Sequence, residues 1–225
     1  MKWFRKRKIK KTSDCVIQSE VDNRHIPEKA RFDNVLSLAA TLSSAARHNL
    51  LRALVRPIQS DYLLAVGSEG QDARPTLDAR HFFFESLYDY ISFKQLSLQE
   101  IPSENYPLSL ASDMVLPWPW SMNSYKGCMN IGSRQGNPWH FDGSNHMVEL
   151  CLPWRIAFVK GGNHSLVAGI LSGEGLLLPE RVFNMQDLLN RVSTNGVEWF
   201  GDGRPVEKVR DWRTAAVYEL GRLVS

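Results

Sequence analysis

The residues best suited to chemistry fall in one short stretch, Lys160-Gly161-Gly162-Asn163-His164-Ser165. Adjacent glycines admit positive φ and let a backbone approach closely. Asn163 and Ser165 are both types that cap helices, and Ser165 can also donate to a phosphate. His164 titrates near neutral pH, which suits it to proton transfer or to donating to a phosphate oxygen. Its other reading is a core histidine hydrogen-bonded to its own loop. Lys160 stands where a lysine reaches a bound anion, or is simply solvated.

The flanks give this stretch its setting. Arg155 to Val159 is a short β-branched and aromatic run with the pattern of a buried strand. Ser165 to Leu171 is apolar with small residues and reads as the first turns of a buried helix. A strand, a glycine turn and a helix start together make an anion site, because backbone N–H groups and the positive end of the helix dipole converge there.

A second group precedes it: Trp139, His140, Asp142, Asn145, His146 and Glu149. His-x-Asp and a second histidine six residues after the first could hold a divalent ion together with His164, as a phosphodiester hydrolase requires. The spacing matches no defined metal signature, so a hydrogen-bonded loop is the competing reading and no metal ligand is assigned. Trp118, Trp120, Trp139 and Trp154 offer either core packing or a stacking face for a base. Lys126, Arg134 and Arg155 are further phosphate neighbours.

The elements that must position these residues follow from periodicity. Asp33 reads as the N-cap of one long helix running to Arg56-Pro57, with Val35, Leu38, Leu42, Leu50, Leu51 and Leu54 on its apolar stripe. A second helix is expected from about Leu77 to Gln95, paired antiparallel with the first. Pro102 to Pro107 is a breaker stretch and the internal boundary. Pro117-Trp118-Pro119-Trp120 must be extended, because a residue before proline avoids the α region. A glycine-spaced loop is expected over Ser121 to Ser144, then strands broken at Pro153. One strand spans Leu176 to Phe183, and a short helix spans Met185 to Val192. The Asn195-Gly196 turn precedes a strand at Val197 to Phe200, and Trp212 to Leu223 is a helix or a last strand. The plan is α+β, divided as a basic arm and linker over 1–31, a helical region over 32–101 and an α+β region over 102–225.

Bulk properties bound the function. The 225 residues carry a net charge of +3, but Lys2, Arg5, Lys6, Arg7, Lys8, Lys10 and Lys11 crowd into the first eleven positions and leave the body mildly acidic. Such an arm suits DNA phosphates or an anionic surface, with Trp3 and Phe4 beside it for stacking, or serves as a solvated tail. Three scattered cysteines, Cys15, Cys128 and Cys151, form neither a disulfide framework nor a zinc knuckle. No apolar run is long enough to span a bilayer and the basic start lacks a signal peptide's apolar core, so a cytoplasmic location is expected.

The segment Phe158 to Gly169, reading FVKGGNHSLVAG, resembles the "G-x-H-R, small, A" turn of the ParB/sulfiredoxin superfamily, with Ser165 standing where that pattern has arginine. Together with Leu116-Pro117-Trp118-Pro119-Trp120 it also resembles the plasmid fertility-inhibition factor family. The likeness covers about Met114 to Val192. It implies a ParB/sulfiredoxin-like mixed sheet with short helices, here preceded by an N-terminal helical pair and the basic arm. It also implies nucleotide or DNA phosphate held by Lys160, Gly161, Gly162, Asn163, His164 and Ser165. His164 would act as the catalytic residue of an ATPase or DNase using ATP and Mg2+. Its partner would be DNA or the conjugation machinery, whose DNA transfer it would block. A non-enzymatic inhibitor docked on the conjugation coupling apparatus, and a metal-dependent nuclease, are the alternatives.

Overall fold

Five short strands alternate their side chains between two buried faces, and this alternation organises the chain. The structure, a computed structural model, describes residues 26–71, 79–85 and 99–224. Strands β1 (Gln99–Ile101), β3 (Met114–Leu116), β4 (Val148–Leu152), β5 (Ile156–Val159) and β7 (Arg181–Asn184) form one sheet in the order β1-β7-β4-β5-β3. The sheet is mixed. β3 runs parallel to β5 and β4 parallel to β7, while β4–β5 and β1–β7 are antiparallel. Met114, Leu116, Cys151, Ile156 and Phe158 point into one core, and Val115, Val148, Leu150, Ala157, Val159 and Val182 into the other. β3, β4 and β5 are near-continuously apolar, as strands covered on both faces require.

The first face is covered by α1 (Glu28–Thr41), most of α2 (Ser44–Ser68), α3 (Ala79–Phe83), α6 (Gln186–Arg191) and α7 (Trp212–Val224). α1 and α2 both lie along α7, so the N-terminal helices and the C-terminal helix share one core. At its centre Phe83, Phe84, Trp154, Trp199 and Tyr218 meet with ring centroids 4.7 to 5.8 Å apart. The polar atoms of this cluster are satisfied: Trp154 Nε1 donates to the Tyr218 carbonyl at 3.1 Å, and Tyr218 Oη to the Leu188 carbonyl at 3.0 Å. Beside them β8 (Val192–Thr194), β9 (Glu198–Gly201) and β10 (Arg204–Lys208) form a three-stranded antiparallel sheet.

The second face is covered by α4 (Met122–Cys128), α5 (Asn163–Ser172) and a two-stranded ribbon of β2 (Leu108–Ser109) and β6 (Leu176–Leu177). The far half of α2 closes the β3 edge, where buried Gln59 donates Nε2 to the Val115 carbonyl at 2.6 Å. Exposed edges otherwise invite pairing with other chains. Cys128 and Cys151 are buried as thiols.

Several expectations change. The single helix from Asp33 is two helices: Leu42 turns extended, and Ser43 caps α2 by accepting from the Ala46 N–H. α2 then runs through Pro57 to Ser68, because the apolar stripe continues and outweighs the proline. The loop expected over Ser121 to Ser144 contains α4, capped by Ser121. Leu176 to Phe183 is two strands in different sheets. Trp212 to Val224 is helical. The helix expected over Leu77 to Gln95 is present at Ala79–Phe83 but has ended at Phe84 and Glu85, and the other positions lie outside the described residues. No helix among the described residues is long and apolar enough to cross a membrane.

Candidate functional site

β5 delivers the chain to a turn whose glycines are fixed by packing. The amides of Lys160 and Gly161 donate to the Met147 carbonyl at 2.8 and 3.1 Å, pressing the turn onto the Asn145–Met147 loop. A Cβ on Gly161 would sit 2.6 Å from the Asn145 carbonyl oxygen, and one on Gly162 2.6 Å from His146 Cδ2. Gly162 also has φ +75°, and it is the N-cap position of α5. Close approach and left-handed geometry therefore both demand glycine here.

Neither Asn163 nor Ser165 caps the helix: α5 has no side-chain cap. Asn163 is the first helical residue, and its buried Oδ1 accepts the Trp118 N–H at 2.8 Å. Ser165 contributes its carbonyl, which accepts from Trp139 Nε1 at 2.8 Å. His164 Nε2 accepts the N–H groups of Ser121 at 3.1 Å and Trp120 at 3.3 Å, and the Trp120 ring meets the imidazole edge-on. Burial holds the His164 pKa below its ordinary value. Protonating Nε2 would set a new N–H against these two amides. In this arrangement His164 is an acceptor that fixes the distant Trp120–Ser121 backbone and makes no bond to its own loop through Nε2.

A proline-bounded extended segment has backbone N–H groups that no strand partner accepts, and they must be satisfied somewhere. Asn163 and His164 supply the acceptors. That requirement is the sequence signal for their role, and reading the turn by itself misses it.

The second group is tied by hydrogen bonds into its own loop. His146 is buried, stacks on Trp139 at 5.0 Å with 16° between planes, and accepts the Asp142 N–H on Nδ1 at 3.0 Å. Its Nε2 must then carry the proton, and among the described residues that buried N–H has no partner. Burial lowers the His146 pKa as well. Asp142 Oδ1 accepts from Ser144, and these bonds hold the carboxyl below its usual range. His140 is exposed. Among the described residues no three His, Cys, Asp or Glu side chains are placed to hold a metal ion.

The result is a cleft of about 300 Å³ lined by Trp120, Asn145 and the run Lys160 to Ser165. Backbone N–H groups at the start of α5 face it, since helical N–H vectors point toward the N-terminus. Lys160 stands at its side, its Nζ 3.5 Å from Glu149, which also lies 3.8 Å from Arg181. Trp120 is 44% exposed at the rim, with exposed Phe141 and Met147 close by. These donors suit a phosphate group. For Mg2+ the carboxylate at hand is Glu149, already paired with two cations. Trp154 and Trp139 serve the cores, so of the four tryptophans Trp120 presents the exposed face. Arg134 sits near Glu174, which accepts the Ser133 and Trp139 amides, and Lys126 lies on α4. Arg155 lies at the opposite end of the sheet. Lys2, Arg5, Lys6, Arg7, Lys8, Lys10 and Lys11 lie outside the described residues.

Fold and cleft together define a two-faced α+β protein with an uncapped helix N-terminus opening beside a lysine and an exposed tryptophan. The chain belongs to the family of unknown function DUF6710, whose model matches residues 8–225. Comparison with curated proteins and with solved structures gives no match.

Proposed function

We propose that the chain binds a phosphate group of a nucleotide or of DNA in the α5 cleft, as a fertility-inhibition-type restraint on conjugative DNA transfer with a ParB/sulfiredoxin-like core. The observation that carries the binding claim is the uncapped α5 N-terminus opening into a cleft that also holds Lys160 and the Trp120 ring. Amides of Asn163, His164 and Ser165 would take the phosphate oxygens, Lys160 would balance the charge, and Trp120 would stack on a base. The conjugative role rests on the resemblance of Leu116 to Trp120 and Phe158 to Gly169 to that family, and the basic arm would add DNA phosphate contacts. ATP and Mg2+ remain the cofactors of that proposal, Mg2+ being held chiefly by the nucleotide phosphates.

His164 enters this reading as a positioning residue for the Trp120–Ser121 backbone. Its occupied Nε2 favours a second form of the proposal, in which the protein binds without turnover and inhibits by docking on the coupling machinery. Calorimetric titration with ATP and with a single-stranded oligonucleotide separates the cases. Saturable binding weakened by Lys160→Ala and Trp120→Ala supports the cleft. Binding that neither substitution changes would remove it. Phosphate release from bound ATP decides between turnover and binding alone.

A further inference from the structure

A second cleft opens at the other end of the parallel pair β3 and β5. Their C-terminal ends lead to the α5 turn, whereas Met114 and Arg155 mark their starts. Here His48 and Arg52 of α2, Asp113 and Met114 at the head of β3, and Arg155 before β5 surround about 150 Å³. We propose that this cleft is a site for a single phosphate group, independent of the α5 cleft.

The charge balance carries the proposal. Asp113 is the one carboxylate in the lining, and both its oxygens are taken: Oδ1 accepts from Arg155 Nε at 3.1 Å and Oδ2 from the Ser109 N–H at 2.7 Å. Arg155 also donates Nη2 to the Pro107 carbonyl at 2.6 Å, which fixes the guanidinium plane and leaves its Nη1 side uncommitted. Arg52 and His48 have no hydrogen-bond or ion-pair partner among the described residues. Two guanidinium groups therefore face one carboxylate, with an imidazole beside them.

Two local costs point the same way. Arg52 and Arg56 lie four residues apart on α2, a like-charged pair that disfavours the helix. Arg56 donates to the Ala111 and Ser112 carbonyls, at 3.2 and 3.1 Å, which leaves Arg52 as the member of the pair open to an anion. Arg155 holds φ +56°, a left-handed conformation that a non-glycine residue adopts at a cost. Arg155 and Arg52 line the same cleft, and the donors that remain on two planar guanidinium groups suit a tetrahedral oxyanion between them.

The phosphate could be the free ion or the end of a phosphorylated molecule. Calorimetry in a phosphate- and sulfate-free buffer, with inorganic phosphate and separately with phenyl phosphate, distinguishes them. The variants are Arg52→Ala, on the exposed side of α2, and Lys160→Ala, which disables the other cleft. Saturable binding with a dissociation constant on the order of 1 mM or tighter is expected. It should weaken about tenfold in Arg52→Ala, and the loss should be as large in a Lys160→Ala background, where the α5 cleft is disabled. Tighter binding of the ester assigns the site to a phosphorylated molecule, and equal or weaker binding assigns it to the free ion. No saturable binding of either probe, binding indifferent to Arg52→Ala, or binding removed by Lys160→Ala overturns the proposal.

Discussion

Gly162→Ala tests whether the glycine turn is built by packing. Gly162 and Gly173 bracket the same helix with nearly equal torsions, φ +75° and +72°. An alanine at either position must adopt left-handed geometry, which costs about 1–2 kcal/mol. At Gly173 that is the whole cost, because a Cβ there meets nothing within 4 Å. At Gly162 the new Cβ falls 2.6 Å from His146 Cδ2 and 3.0 Å from the Asn145 carbonyl oxygen. The imidazole cannot swing aside, since it is stacked on Trp139 and bonded to the Asp142 amide. Forced overpacking of this kind adds roughly 1–3 kcal/mol. Gly162→Ala should therefore lose about 2–5 kcal/mol and Gly173→Ala about 1–2 kcal/mol. Urea denaturation at neutral pH measures both as shifts in midpoint at constant slope. Equal losses in the two variants would refute the packing explanation.

Acid should destabilise the fold. His146 and His164 are held below their ordinary pKa by burial, so the unfolded chain binds protons that the folded chain refuses. Their contribution is complete above about pH 6.5 and is lost as pH falls toward the lowered folded values. The urea midpoint should drop below about pH 6.5, and His164→Gln, which keeps an acceptor but cannot titrate, should flatten that drop; an unaltered profile would contradict the assignment. In α7, Gly221→Ala should reverse the usual preference for alanine in helices, worth up to about 1 kcal/mol, because a Cβ there runs into the indole of Trp154. A net loss of more than about 1 kcal/mol in thermal or urea unfolding is expected, and a gain would contradict the packing described.

What the sequence reveals is what is local. The strand–turn–helix from Arg155 to Leu171 is legible because β-branched residues, paired glycines and small apolar residues follow one another without a break. The Pro153 break, the Asn195-Gly196 turn and the α6 helix follow from equally short patterns. The division of α1 from α2 is hidden, since the apolar stripe runs across Leu42 and Ser43 without interruption. α4 is hidden because Met122 to Cys128 carries three polar residues and a glycine in seven, and its helix depends on Ser121 and on packing against α5. In the cleft, residue types identify the turn but not its partners. Asn163 looks like a cap and serves as an acceptor for a segment 45 residues away. His164 looks like a proton donor and accepts from two amides. Long-range pairing of this kind leaves no periodic trace.

The central claim is that the start of α5 binds phosphate, and amide chemical shifts read it most directly. Titrating the 15N-labelled protein with ATP should move the Asn163, His164 and Ser165 amide signals along saturable curves, with the Trp120 indole signal moving in parallel. Lys160→Ala should shift those curves to higher ligand concentration. Unmoved amides at the start of α5, while ATP either fails to bind or perturbs another surface, would contradict the account.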